Sequence, residues 1–335
     1  MSNLSQHRLA EKLGLSSSVV SRALNDRPDR HARVAPATRE RIREAAQRLG
    51  WRRNRVAEAL KRGRTPDIGV FLPPQADRLI ADLVIGMAEV AEPARLPLGI
   101  TFDTGADAYR RFFTRNAHEP RSGLITYPYL YTSAELAKLA RVYRREGGAI
   151  VLLNADVRET GVPVVEIDEA AGGRLAARHL LDRHCQQLAV AGQYRSRTDG
   201  FRIVAAEAGT PVTVVDDKND GQDQEPALLE LMEKIVRWLA AGKKPVGVFA
   251  INDRLALRLI RLALARGIAV GTDLLVIGFD DLELAADMTP ALTTLHQPFR
   301  DLGRTAVTVL MQLLEDGHPA PVTSLPPHLI IRETA

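Results

Sequence analysis

Residues 246–281 read VGVFAINDRLALRLIRLALARGIAVGTDLLVIGFDD. Two uncharged apolar runs, VGVFAI and LLVIGF, enclose a leucine-rich segment studded with arginine. The runs are continuous rather than alternating, which is the pattern of strands in a parallel sheet covered on both faces. Further runs of the same kind, IGVFL, GLIT, AIVLL and QLAVAG, recur from Ile68 onward. Between them lie amphipathic helices, such as the one carrying Leu79, Ile80, Leu83, Val84, Met87 and Val90 near every fourth residue. Strands and helices alternating over roughly 270 residues predict doubly wound α/β units, and the length suits two such lobes. No internal sequence repeat and no low-complexity stretch is visible.

The whole chain has 335 residues, 45% hydrophobic and 26% charged, an ordinary globular composition with ample material for a core. No stretch of about 18 uncharged apolar residues exists, so no membrane partner is expected. The first residues, MSNLSQHRLAEKLG, hold no apolar secretory segment, and a cytoplasmic location is expected. The single cysteine, Cys185, excludes an intrachain disulfide framework. Nucleotide-binding glycine motifs, nucleophile elbows and zinc-protease helices are all missing from the sequence. His179 and His184 stand five apart, off the spacing that would share a helical face. The adjacent acids Asp280 and Asp281 point in different directions. No enzyme, metal or cofactor is therefore expected.

Charge divides the chain. Residues 1–64 carry 16 Lys and Arg against 6 Asp and Glu, a net of +10, and the remainder carries −6. A small basic head on a slightly acidic body is the footprint of a polyanion binder. Nearly all the cations of the head are arginine, whose planar fork grips phosphates and guanine edges at two points. Within the head, Leu9, Leu13 and Leu15 bracket Gly14, and SSSVVSRALN follows with Val20, Ala23 and Leu24 at helical spacing. Ser16 suits an N-cap, Pro36 suits the first turn of a third helix, and Gly50 suits its end. This pattern predicts a helix-turn-helix unit. Its second helix would turn Ser17, Ser18 and Arg22 toward base edges, with Ser16, Ser21 and Asn25 toward phosphates. The following WRRNRVAEALKRGRT is too short and too positive to be a stable helix alone.

The segments LAEKLGLSSSVVSRALN, ATRERI, LGWRRN and VAEALKRGRT together resemble the DNA-binding head of the lactose-repressor (LacI/GalR) family of bacterial transcription regulators. The resemblance implies a hinge helix after the third helix, with Asn54, Ala57 and Leu60 at the DNA and Leu60 wedged into the minor groove. Two departures stand out: Arg53 replaces the usual proline before Asn54, and the loop DRPDRHARV is longer than usual and arginine-rich. We read that loop as either an extra phosphate clamp or a solvated connection.

The resemblance extends through AINDRLALRLIRLALARGI, LLVIGFDDLELA, TPALTTLHQPFRDLGRTAV and LPPHLIIRETA. It implies a core like the periplasmic sugar-binding proteins, two doubly wound lobes with an effector cleft at the carboxyl ends of their strands. By motif, Arg197 in RTDGF, Asn252 in the Asn-Asp pair and Asp280 in GFDD carry over as effector ligands. Fork, amide and carboxylate suit neighbouring hydroxyls. Bland alternatives are a surface charge for Arg197 and a helix cap for Asp280. Asn154 after AIVLL, Asp168 after VVEI, and Tyr127 in ITYPYLYT are further candidates at strand ends. The segment PPQADRLI lacks the aromatic group usual for the family, a departure that bears on ligand identity; the reading stays with a sugar or sugar derivative and leaves a nucleobase or an acid open.

The expected organisation is a helix-turn-helix head over 1–50 and a hinge over 51–65. The effector core spans 66–335, with one lobe at 66–165 and 292–325 and the other at 166–291 and 326–335. Without a heptad tail the expected assembly is a homodimer on a near-palindromic, double-stranded operator, associated with the bacterial nucleoid.

Overall fold

The computed structural model describes residues 6–24, 34–48, 65–74, 78–118, 121–128, 133–145, 148–155, 161–215, 225–315 and 321–335. The head contains α1 (Gln6–Leu13), α2 (Ser17–Ala23) and α3 (Pro36–Arg48). Gly14, at φ +63°, closes α1: its amide donates to the Glu11 carbonyl at 3.1 Å, and the Leu15 amide donates to Ala10 at 3.0 Å. This paired ending requires left-handed backbone, which glycine adopts without steric penalty. Ser16 then caps α2, its hydroxyl accepting from the Val19 amide at 3.4 Å. Pro36 opens α3, where its missing N–H removes no helical bond. Leu9, Ala10, Val20, Ala23, Val34, Ile42 and Ala46 form a small core of their own. The helix-turn-helix pattern read from the sequence is the fold of the head. Asn25, the arginine-rich loop after it, Gly50, and the hinge residues Asn54, Ala57 and Leu60 lie outside the described residues.

The chain divides into two compact units, Met1–Ala76, Asp82–Glu166 and Arg300–Thr323 in one, Asp77–Ala81, Ile167–Phe299 and Ser324–Ala335 in the other. The first holds a sheet of β1 (Thr65–Leu72), β2 (Leu98–Phe102), β3 (Arg121–Thr126), β4 (Ile150–Leu153), β5 (Val164–Ile167) and β11 (Val322–Leu325). Their order is β11-β5-β4-β3-β1-β2, with parallel pairing from β5 through β2. Its helices are α4 (Arg78–Ala91), α5 (Ala106–His118), α6 (Ser133–Arg145) and α12 (Phe299–Glu315). An aromatic cluster fills one face of the sheet: Phe71 meets Tyr109 edge-on at 5.1 Å, and Tyr109 meets Phe113 at 4.9 Å. The Tyr109 hydroxyl, buried with the ring, finds Thr126 Oγ1 at 2.8 Å. Helices α4 and α12 cross at Gly86 and Gly303, where an added Cβ would collide with the Arg300 and Leu83 carbonyls.

The second unit holds β6 (Gln187–Ala191), β7 (Val212–Val215), β8 (Val246–Ala250), β9 (Leu274–Phe279), β10 (Thr293–His296) and β12 (His328–Ile330). Their order is β12-β10-β9-β8-β6-β7. The pairs from β10 to β7 are parallel, and β12 joins β10 antiparallel. Around the sheet lie α7 (Glu169–Asp182), α8 (Arg195–Glu207), α9 (Glu225–Ala240), α10 (Asp253–Leu264) and α11 (Glu283–Asp287). The core is mainly aliphatic, with Phe201 stacked on Phe249 at 5.5 Å and Phe249 beside Phe279 at 6.3 Å. Here too two helices cross at glycines: Gly173 of α7 faces the Arg197 carbonyl, and Gly200 of α8 faces that of Ala170.

Both sheets therefore wind alike. In each, the second strand in sequence takes an edge, the first sits inside it, and the third, fourth and fifth follow on the other side. The winding reverses beside β1 and beside β6, and the crevice outside the carboxyl ends of such strands is where open α/β sheets bind ligands. Among the described residues, no helix is long and apolar enough to cross a membrane.

Candidate functional site

Polar side chains gather at the carboxyl ends of the second sheet. Arg197 lies in the first turn of α8, only 7% exposed, rather than on a surface loop. Its Nε donates to Glu169 Oε2 at 2.5 Å and its Nη2 to Glu169 Oε1 at 3.1 Å, a two-point pair. Nη1 donates to the Ile251 carbonyl at the end of β8. The Phe279 ring lies 3.6 Å from the guanidinium carbon and the Tyr194 ring 4.3 Å from it. Burial works against the charge of Arg197, but Glu169, joined by Asp280 and Tyr194, outweighs it and the arginine's pKa is raised. The contact exists because Gly173 and Gly200 let α7 and α8 approach backbone to backbone.

Asp280 follows β9 with φ +116°, and Asp281 follows it with φ +51°. Two successive left-handed residues that are not glycine store strain, which only surrounding contacts can hold. Asp280 Oδ1 accepts from Gln297 Nε2 at 2.7 Å and lies 3.9 Å from Arg197 Nη1. Burial pushes the Asp280 carboxyl up to about 7, against the pull of Arg197. Asp281 turns the other way, to Arg332 Nη2 at 2.7 Å and His296 Nδ1 at 2.9 Å. Beneath the turn Asp253, fully buried, accepts from Thr294 Oγ1 at 2.5 Å and from the Leu282 amide at 2.7 Å. Burial pushes Asp253 up to about 6.

Asn252 and Asp168 are helix caps. Asn252 Oδ1 accepts from the Leu255 amide at 2.8 Å to start α10. Asp168 Oδ1 accepts from the Ala171 amide at 2.7 Å to start α7, and its Oδ2 meets Arg174 at 3.3 Å. The cap allowed for Asp280 in the sequence is absent: Leu282 precedes α11 and gives no side-chain cap. In the first unit, Asn154 and Tyr127 end β4 and β3 together, Asn154 Nδ2 donating to the Tyr127 hydroxyl at 3.2 Å. The structure thus joins Arg197 with Asp280, puts Asn252 next to the carbonyl that Arg197 holds, and pairs Tyr127 with Asn154. Tyr129 and Tyr131 lie outside the described residues. Among the described residues, no group of His, Cys, Asp and Glu is arranged to hold a metal ion.

On the head, Ser16, Ser17, Ser18 and Ser21 are exposed and Arg22 is half-buried, while Val20 and Ala23 point into the small core. Sequence reasoning missed Glu169, Gln297 and Asp253. Glu169 stands 28 positions before Arg197, so only the fold makes them partners. Asp253 carried a signal in the Asn-Asp pair, but the pair gave no means of telling the cap from the buried acid.

Residues 177–335 match the periplasmic binding protein-like domain. The chain is similar to the HTH-type transcriptional repressor PurR of Photobacterium profundum, 27% identical over 334 residues covering 97% of each chain. Two solved structures are similar over 99% of both chains. One is a transcriptional regulator CelR–cellobiose complex, 23% identical with a TM-score of 0.68. The other is the lac repressor dimer bound to operator and the anti-inducer ONPF, 24% identical with a TM-score of 0.67.

Proposed function

Because this chain belongs to the lactose-repressor (LacI/GalR) family, we propose that it is a sequence-specific transcriptional repressor whose affinity for its operator is set by a small effector, a sugar or sugar derivative. It is a regulator and not an enzyme, like the repressors it matches. In this reading residues 1–50 read DNA, 51–65 connect, and 66–335 sense the effector. A homodimer on a near-palindromic site in the bacterial cytoplasm follows from the same reading.

One observation carries the proposal. Ser16 caps α2 so that Ser17, Ser18, Ser21 and Arg22 share the outward side while Val20 and Ala23 anchor the helix. A short helix with hydroxyls and an arginine on its free side, in a segment (residues 1–64) of net charge +10, suits a major groove flanked by phosphates. Asn25, Asn54, Ala57 and Leu60 complete the proposed DNA-binding set. The proposed effector set is Arg197, Asn252 and Asp280, joined by Asp168, Asn154 and Tyr127.

Selection of bound fragments from a genomic library with the full chain tests the reading. The expected result is enrichment of one near-palindromic site, with affinity that changes when an effector is added. Arg22→Ala should cost about 1–3 kcal/mol and relax the preference at one base position. A uniform loss over all sequences would remove Arg22 from base reading. A chain that enriches no site at all would overturn the repressor function.

A further inference from the structure

Among the described residues, Arg197 is the cation held by Glu169 and closest to Asp280, and its charge is already answered. Glu169 takes Nε and Nη2, the Ile251 carbonyl takes Nη1, and the Phe279 and Tyr194 rings lie against the guanidinium. Of its five N–H groups, one on each terminal nitrogen is left to face a ligand. A second carboxylate, Asp280, stands 3.9 Å from Nη1, with Oδ1 bound to Gln297 and Oδ2 given no protein donor among the described residues. Two further arginines among the described residues reach this turn, Arg332 and Arg78, and both are engaged by Asp281, Arg332 through the carboxylate at 2.7 Å and Arg78 through the backbone carbonyl with the carboxylate at 3.8 Å. The side chains of Arg197, Glu169 and Asp280 are 8%, 12% and 17% exposed, so solvent screens their field weakly.

We infer that this cluster selects an uncharged, hydroxyl-bearing ligand and rejects anions, with Glu169 as the residue that sets the choice. This rests on the effector reading above and narrows it: sugar phosphates and sugar acids are excluded from the ligand class. A hydroxyl can donate to Asp280 Oδ2 and accept from the remaining N–H groups of Arg197, and Asn252, whose Oδ1 caps α10 and whose Nδ2 has no protein acceptor among the described residues, supplies a further donor. A phosphate or carboxylate can only accept. It would lie against two carboxylates whose shared cation is already paired, and it would have to be stripped of water to do so. Burial, which holds Asp280 up to about 7, acts in the same direction by disfavouring more negative charge. Replacing Glu169 by a neutral isostere leaves the charge of Arg197 unanswered by its two-point partner and turns the same cluster toward anions.

Matched pairs test this on the full chain by isothermal titration: D-ribose against D-ribose 5-phosphate, D-glucose against D-glucose 6-phosphate, and D-glucose against D-gluconate. The expected result is that the neutral member of a pair binds at least about tenfold tighter to the wild type. Glu169→Gln should shift that ratio by about tenfold or more toward the anion. Asp280→Asn, which keeps the Arg197–Glu169 pair, should shift it the same way and covers the case in which Glu169→Gln does not fold. Tighter binding of a phosphate or an acid to the wild type would overturn the inference. So would an unchanged ratio in whichever variant folds, or no binding of any neutral sugar by a chain that still recognises its operator. Loss of operator recognition itself would count against the repressor function instead.

Discussion

The two α/β units share one winding and differ in what they do with its strand ends. In the first, the ends of β3 and β4 bring Tyr127 to Asn154 over an aromatic core. In the second, the ends of β8 and β9 hold a buried arginine, two raised carboxylates and a strained turn over a mainly aliphatic core. Winding fixes where chemistry can be placed; it does not decide whether it is placed there. Both units use glycine pairs to bring helices together; in the first the approach sets Glu89 against the half-exposed Arg300 and Arg304, and in the second it sets Glu169 against the buried Arg197.

Substitutions at the helix crossings should have the largest effect. Gly173→Val and Gly303→Val each force a side chain into a facing carbonyl and should cost about 3 kcal/mol or more in thermal unfolding. Only Gly173→Val should also abolish the response to effector, because Gly173 packs on the backbone of Arg197. Equal loss of response in both variants would erase the contrast. Asp253→Ala strands the Thr294 hydroxyl and the Leu282 amide, and should cost about 2–3 kcal/mol; Asp253→Asn, which keeps an acceptor, should cost less.

The units should also answer pH in opposite directions. Asp253 and Asp280 hold protons in the folded chain that they release on unfolding, since burial raises them from 3.8 to about 6 and about 7. Their contribution is therefore fully present below about pH 4 and is lost as pH rises from there through about 6 and about 7, by no more than about 1.4 kcal/mol per pH unit for each group. Glu89, in the first unit, is lowered to about 2 by hydrogen bonds from Arg300 and Arg304. What it adds is present above about 4.5 and is lost as pH falls toward 2. Urea unfolding from pH 4 to 8 reads the first effect, and Asp253→Asn combined with Asp280→Asn should flatten it. Tyr127→Phe should matter least, under about 1 kcal/mol by calorimetry, because a half-buried hydrogen bond is exchanged for water.

Where the sequence was readable follows from burial. The runs that became β1, β3, β4, β6, β8 and β9 are interior strands, apolar on both faces, and stand out without any partner being known. Edge strands β2 and β7 are half-exposed, and LGITF and VTVV carry no such contrast with their surroundings. Strand β10 is harder still: Thr293 and Thr294 are fully buried, and what makes that tolerable is distant, Thr334 and Asp253 about 41 positions away. The site divides in the same way. Arg197 and Asp280 were legible through their motifs, and Ser16 through capping chemistry. Glu169 follows a cap residue and carried no sign of its partner. The alternative of a cap was sound in kind but attached to Asp280, when Asn252 and Asp168 are the residues that start helices.

That last placement bears on how such a receptor can be retargeted. Asp168 and Asn252 each commit an oxygen to the first turn of a helix, and Asp253 commits both of its own to the turn below Asp280. Mutating any of the three in search of new ligand preferences would loosen the frame before it altered the preference. Biosensor libraries built on this scaffold should hold those three positions constant and diversify Glu169 and Tyr194, whose side chains border the guanidinium without capping a helix.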